Sequence, residues 1–157
     1  LGFVAVRWDA EMLRPDMHDI PAVVLADGYH LRAPEEAELP AVHQMMVEGF
    51  AEHWGEHEAE DQRIEDWLET DPDGTRRGLL DAVVTHPDHR RRGLARATIA
   101  RSLVLLRDAG AASAYLGVDT DNHNRALALY EACGFHVAST STTYRKPKPM
   151  PGTEDRP

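Results

Sequence analysis

The residues best equipped for chemistry lie between Val83 and Arg96. Val83-Val84-Thr85-His86-Pro87-Asp88-His89-Arg90-Arg91-Arg92-Gly93-Leu94-Ala95-Arg96 reads as the end of an apolar strand, a tight basic turn and a helix start. The first N–H groups of a helix have no intrahelical acceptor, and the helix dipole adds partial positive charge there. Gly93 lets an anion approach the backbone closely, and the arginines supply charge and donors. The segment therefore predicts a phosphate or pyrophosphate site. A nucleic-acid patch is the weaker reading of Arg90–Arg92, because the net charge is −10 and no aromatic platform is interleaved.

Other reactive side chains carry less. His53 and His57 stand four apart with Glu52 and Glu56 beside them, but Trp54-Gly55 interrupts the helix that would align them, so no metal site is expected. Cys133, the only cysteine, has no nearby base and reads as a small core residue. It cannot form an internal disulfide, which fits a cytoplasmic setting. Tyr130 shares a stripe with Ala126, Leu127 and Cys133, and by itself reads as a core tyrosine.

Elements must position these groups. Residues 1–14 read as a strand with an amphipathic continuation, and 15–27 as a Pro-punctuated linker. Tyr29–Arg32 is a short strand candidate. A helix follows, with Glu35, Glu36 and Glu38 in its first turn and Leu39, Val42, Met46 and Phe50 on one face. A second helix is expected over 60–69, stopped by Thr70-Asp71-Pro72-Asp73-Gly74. Leu79–Thr85 is a strong strand pattern. Gly93–Ala109 is the best helix, with Ala95, Ile99, Leu103 and Leu106 on one face and Gly110 as its stop. Ala114–Asp119 predicts a strand, Asn122–Glu131 a helix, and Gly134-Phe135 a last strand, with Thr143-Tyr144-Arg145 as a further candidate. Residues 147–157 read as a loose tail.

The chain's 157 residues, 42% of them hydrophobic, suit one folded domain with a core. No apolar run is long enough for a membrane span. Charge is split. Glu35 to Asp73 holds fourteen acids against Arg63, whereas Thr75 to Arg107 holds eight arginines against Asp81 and Asp88. That division suits a polyanionic ligand beside a cationic one, although two solvated faces would give it as well. Arginine outnumbers lysine fifteen to two, as in GC-rich bacterial genomes.

The strand, Pro87 and Arg90-Arg91-Arg92-Gly93-Leu94-Ala95 resemble the central motif of the GCN5-related N-acetyltransferase (GNAT) family. Asp119-Thr120-Asp121-Asn122, Ala126–Glu131 and Gly134-Phe135 resemble its later motif, at the expected spacing. The resemblance covers about 28–146, close in the second half and looser in the first. Within the family, Glu48–Gly55 and Thr142–Pro147 are similar to the C-terminal halves of tandem, mycothiol synthase-like members. Leu1–Arg7 and Met12 then look like the last strand of a preceding domain, and 28–146 like the acyltransferase domain.

The resemblance implies acetyl-CoA as cosubstrate, without a metal. The turn amides over Arg90–Arg96, including Gly93, Leu94 and Ala95, would hold its pyrophosphate. The backbone of Val83, Val84 and Thr85 would hold the pantetheine arm, with Asn122 near the middle of that arm; Thr85 stands where an aliphatic residue is usual. Tyr130 would protonate the departing thiolate. No base transfers from the family; Asp81 and His86 are candidates.

The expected fold is α/β, a mixed, mostly antiparallel sheet flanked by helices. The expected function is acetyl transfer from acetyl-CoA to an amine, with acyl-CoA or partner binding without catalysis as the alternative. Expected partners are a cationic amine and a preceding GNAT-like domain or a second copy, with no nucleic acid or membrane. The family places a hairpin before the strand that enters the turn, and 70–78 is too short for two strands and a turn. Leu80–Thr85 is therefore expected to lack a neighbour on one side, a gap to be filled by Gly2–Trp8 or by another chain.

Overall fold

A computed structural model of the protein describes residues 2–49, 66, 68–120 and 126–146. The longest strand comes first. In β1 (Val4–Arg14), Val4, Val6, Trp8, Ala10 and Met12 alternate with Arg7, Asp9 and Glu11. That period of two gives the strand one apolar and one charged face. A helical turn at Glu36–Glu38 then leads into α1 (Leu39–Gly49). Arg32 grips Glu38 with two hydrogen bonds of 2.7 Å and, together with the Glu35 N–H, pulls its carboxyl down to about 2. There follow β2 (Leu68–Thr70), β3 (Arg76–Leu79), α2 (Leu94–Asp108), β4 (Ser113–Asp119), α3 (Ala126–Glu131) and β5 (His136–Arg145).

The five strands form one open mixed sheet in the order β2-β3-β4-β1-β5. Only β3 and β4 run parallel, joined through α2; the other pairs are antiparallel. A parallel pair needs such a crossover, and α2 returns across the face that it buries. Its Ile99, Leu103 and Leu106 join Ala10 and Met12 of β1 and Ala114, Leu116 and Val118 of β4 in the core, with Cys133 and Phe135. The core is thus built on the even-numbered face of both central strands, as the register Ala10↔Val118 and Met12↔Leu116 requires.

Several expectations are corrected. Gly2–Trp8 does not lie beside Leu80–Thr85. β1 enters the sheet between β4 and β5, pairing with β5 from Val4 to Leu13 and with β4 from Asp9 to Arg14. The strand leading to the basic turn does have a neighbour: Leu68–Thr70 pairs with Arg76–Gly78 across the tight turn 71–75. Strand structure ends at Leu79, so the apolar run 80–85 is not a strand. Leu68 and Glu69, expected at a helix end, are strand because Arg77 bridges Glu69 at 3.0 Å and Asp71 at 3.2 Å and stacks 4.8 Å from the Tyr115 ring of β4. Tyr29–Arg32 forms no strand, since its side chains dock on other segments instead of a ladder. The last two strand candidates merge into the ten residues of β5. The body of the expected helix over 60–69, and His53 and His57, fall outside the described residues.

Arg14, at the end of β1, is 5% exposed. Its guanidinium donates to the Cys133 carbonyl at 2.5 Å and to the His18 carbonyl. It thereby ties β1 to the turn that follows α3. Gly134 makes room for it: φ is +88°, and an added Cβ would collide with Arg14 Nη1. Gly134→Ala should therefore lower unfolding free energy by more than the ~1 kcal/mol of a simple left-handed penalty, because Arg14 must also move. Urea denaturation of the two proteins measures the difference, and equal midpoints would show that the pin is dispensable.

Candidate functional site

β3 and β4 run side by side only as far as Leu79↔Tyr115. One more bond, from the Leu80 N–H to the Tyr115 carbonyl at 2.9 Å, closes the ladder. Ala82 then adopts φ 49°, with its N–H turned onto Asp81 Oδ1 at 2.9 Å. A left-handed residue cannot continue a strand. The chain leaves the sheet there while β4 runs on to Asp119. Among the described residues, no protein group accepts from the N–H groups of Val83, Val84 or Thr85. The two segments thus diverge around an edge with backbone hydrogen-bonding capacity to spare. On one side α1 closes in tightly: a Cβ on Gly49 would meet Val84 Cγ1 at 2.5 Å.

The basic turn follows directly. Pro87–His89 makes one helical turn, with the His89 and Arg90 N–H groups bonded back to His86 and Pro87. Arg91 at φ 62° and Gly93 at φ 75° then swing the backbone into α2. Gly93 is the N-cap and offers no side-chain acceptor; the first helical bond is Ala97 N–H to the Gly93 carbonyl at 3.0 Å. The six N–H groups from Arg91 to Arg96 consequently have no acceptor among the described residues. No atom lies within 4 Å of where a Gly93 Cβ would stand, so the approach is open. Alternating left- and right-handed residues with free N–H groups at a helix start form an anion cradle.

The arginines divide their duties. Arg90 Nε donates to the Thr85 carbonyl at 3.2 Å and so closes the turn. Arg92 is held by the Tyr29 hydroxyl and by the Asp88 carbonyl. Arg91 and Arg96 have no hydrogen bond or ion pair among the described residues and remain available to an anion. Leu94 and Ala95, half-buried, contribute backbone only.

Tyr130 on α3 lies half-buried against the core, edge-on to Phe135 at 6.1 Å. Burial first, then the Asp81 carboxylate and Cys133, push its phenol above the ordinary value. It is therefore a proton donor at neutral pH. The structure brings Tyr130 and Asp81 within electrostatic reach of each other, at the point where β3 ends and the chain departs from β4. Asp81 itself is exposed. His86 instead caps the turn, Nδ1 accepting from the Asp88 N–H at 3.3 Å. Burial pushes the Cys133 thiol up, so Cys133 is an inert core residue. Asn122 lies outside the described residues. No group of metal-ligating side chains occurs among the described residues, and none of their helices is long and apolar enough to cross a membrane.

A model described as the Acetyltransferase (GNAT) family matches residues 49–135, more than half of the chain. The chain belongs to the GNAT acetyltransferase family. Structural neighbours share the GNAT fold. A GCN5-related N-acetyltransferase from Sphaerobacter thermophilus superposes with a TM-score of 0.65 at 18% identity, over 91% of this chain and 52% of that one. A GNAT-family acetyltransferase from Novosphingobium aromaticivorans gives 0.59 at 22%, over 94% and 69%. A GCN5-related N-acetyltransferase from Kribbella flavida gives 0.61 at 16%, over 94% and 61%. The chain thus spans about half of the first of these GNAT proteins and under two thirds of the last. No curated protein sequence matches it.

Two features of this GNAT site had no sequence signal. Alanine is not a residue that announces a left-handed break, and Tyr29 lies sixty residues before its partner His89. The Asp81–Tyr130 relation is open to a direct check. Asp81→Asn should lower the Tyr130 phenol but leave it above the ordinary value, because burial is the larger cause. Alkaline difference spectra against Tyr130→Phe isolate that titration. An unmoved curve would mean that the two groups do not sense each other.

Proposed function

We propose that the protein is an N-acetyltransferase that moves an acetyl group from acetyl-CoA directly to an amine. The observation that carries this is the six free N–H groups of Arg91–Arg96 at the start of α2, beside a segment whose backbone has left the sheet. The cradle suits the pyrophosphate of coenzyme A, with Arg91 and Arg96 adding charge. The unpaired backbone of Val83–Thr85 suits the amide-bearing pantetheine arm. In the chain the two adjoin, and Asp81, two residues before Val83, is within electrostatic reach of Tyr130.

The amine nitrogen attacks the thioester carbonyl, the N–C bond forms and the C–S bond breaks. Tyr130, kept protonated by burial and by Asp81, donates its proton to the leaving thiolate. The proton lost by the attacking nitrogen goes to water or to Asp81, whose carboxylate is exposed. No acyl-enzyme is involved, in keeping with a buried, protonated Cys133. The acceptor is a cationic amine, a choice supported by the fourteen acids against one base, Arg63, between Glu35 and Asp73.

Two measurements test the assignment. Gly93→Glu places bulk and negative charge in the cradle and should abolish acetyl-CoA binding in calorimetry while the circular dichroism stays native; retained affinity would discard the site. Tyr130→Phe keeps the ring and should reduce turnover by about 10²–10⁴ with cofactor affinity nearly unchanged. Full turnover in that variant would reduce Tyr130 to a packing role, and tight cofactor binding without turnover on a broad amine panel would favour an acyl-CoA-binding domain.

A further inference from the structure

Tyr29 belongs to the segment joining β1 to α1, upstream of the family match at 49–135. It nonetheless docks on the basic turn. Arg92 Nη1 donates to its hydroxyl, and the guanidinium stands 5.8 Å from its ring centre. Having accepted from Arg92, the hydroxyl is free to donate to His89 Nδ1, 2.9 Å away. The His89 ring meets Tyr29 edge-on at 5.9 Å and His86 at 5.7 Å. A surface arginine ordinarily samples many rotamers, and fixing it costs entropy. Here a ring, a hydroxyl and the Asp88 carbonyl hold it at the flank of the cradle.

Two of the five guanidinium donors are used, so three remain. The result is a fixed cation with spare donors, set among three unsaturated rings and next to the pyrophosphate cradle. That combination matches a phosphorylated ribose carrying a purine: a guanidinium for the phosphate, ring edges and faces for the base.

We propose that Tyr29 is a positioning residue which fixes Arg92, with His89, so that together they take the nucleotide end of coenzyme A. The inference rests on the acyl-CoA assignment above. It adds that this chain selects full coenzyme A over shorter phosphopantetheine donors, through a residue outside the shared family pattern.

Calorimetry with coenzyme A and with 4′-phosphopantetheine tests it in wild type, Tyr29→Phe, Tyr29→Leu and Arg92→Gln. Wild type should bind coenzyme A at least about tenfold more tightly than phosphopantetheine, the scale of one charge-assisted contact. Tyr29→Leu and Arg92→Gln should bring that ratio close to one without changing phosphopantetheine affinity. Tyr29→Phe, which keeps the ring and loses the hydroxyl, should fall between. A general structural loss would weaken both ligands alike and would overturn the inference, as would an unchanged ratio in folded variants or a ratio near one in wild type. Wild type that binds neither ligand would overturn the acyl-CoA assignment together with it.

Discussion

Everything in this fold hangs on the position of β1. β5 pairs with β1 alone, and β1 in turn carries β5 onto β4, the strand that faces the site. The same strand lines the core with Ala10 and Met12 and ends in Arg14, whose buried guanidinium needs the carbonyls of Cys133 and His18 as acceptors. A buried cation without such partners would be costly, so the turn after α3 is fixed relative to β1. Tyr130, three residues before Cys133, inherits that placement. The strand farthest in sequence from the basic turn thus holds the Tyr130 phenol in place.

The site exists because two parallel strands stop being neighbours. Up to Leu79↔Tyr115 the backbone groups satisfy one another; beyond it, Ala82 turns the chain away. The unmade half of the ladder becomes a place for a ligand with amide groups of its own. The same economy governs the helix start. N–H groups that a helix cannot use internally are left unpaired around the left-handed residues Arg91 and Gly93. In both places, unsatisfied backbone near solvent is tolerable alone and better satisfied by a suitable ligand.

Charge distribution gives the two ends different partners. The cradle end is rich in arginine: Arg90 closes the turn, Arg92 is fixed with donors to spare, and Arg91 and Arg96 have no hydrogen bond or ion pair among the described residues. The other end holds Asp81 and a phenol that stays protonated, with the end of α1 packed on Val84.

Much of this could be read without coordinates. Arg90–Ala95 announced a helix start with unpaired N–H groups because local backbone physics at a glycine cap depends on few distant residues. The body of α2 and the strand β4 were legible from apolar periodicity, and Tyr130 from the later motif. Other features depended on tertiary packing. β1 alternates like any half-buried strand, and nothing local tells it to enter between β4 and β5, since register and neighbours are set by which faces the whole chain can bury. Leu79–Thr85 has a strong strand pattern, yet strand structure ends at Leu79 and Ala82, at φ 49°, takes the chain out of the ladder. Leu68–Thr70 becomes a strand through Arg77 and Tyr115, residues too far along the chain for a local pattern to register. The sequence by itself determined which backbone N–H groups a helix start would leave unpaired and which residues were apolar. Only the tertiary structure decided which strand fills the sheet, where the ladder breaks and which side chains meet there, because those outcomes depend on competition among distant surfaces for the same burial.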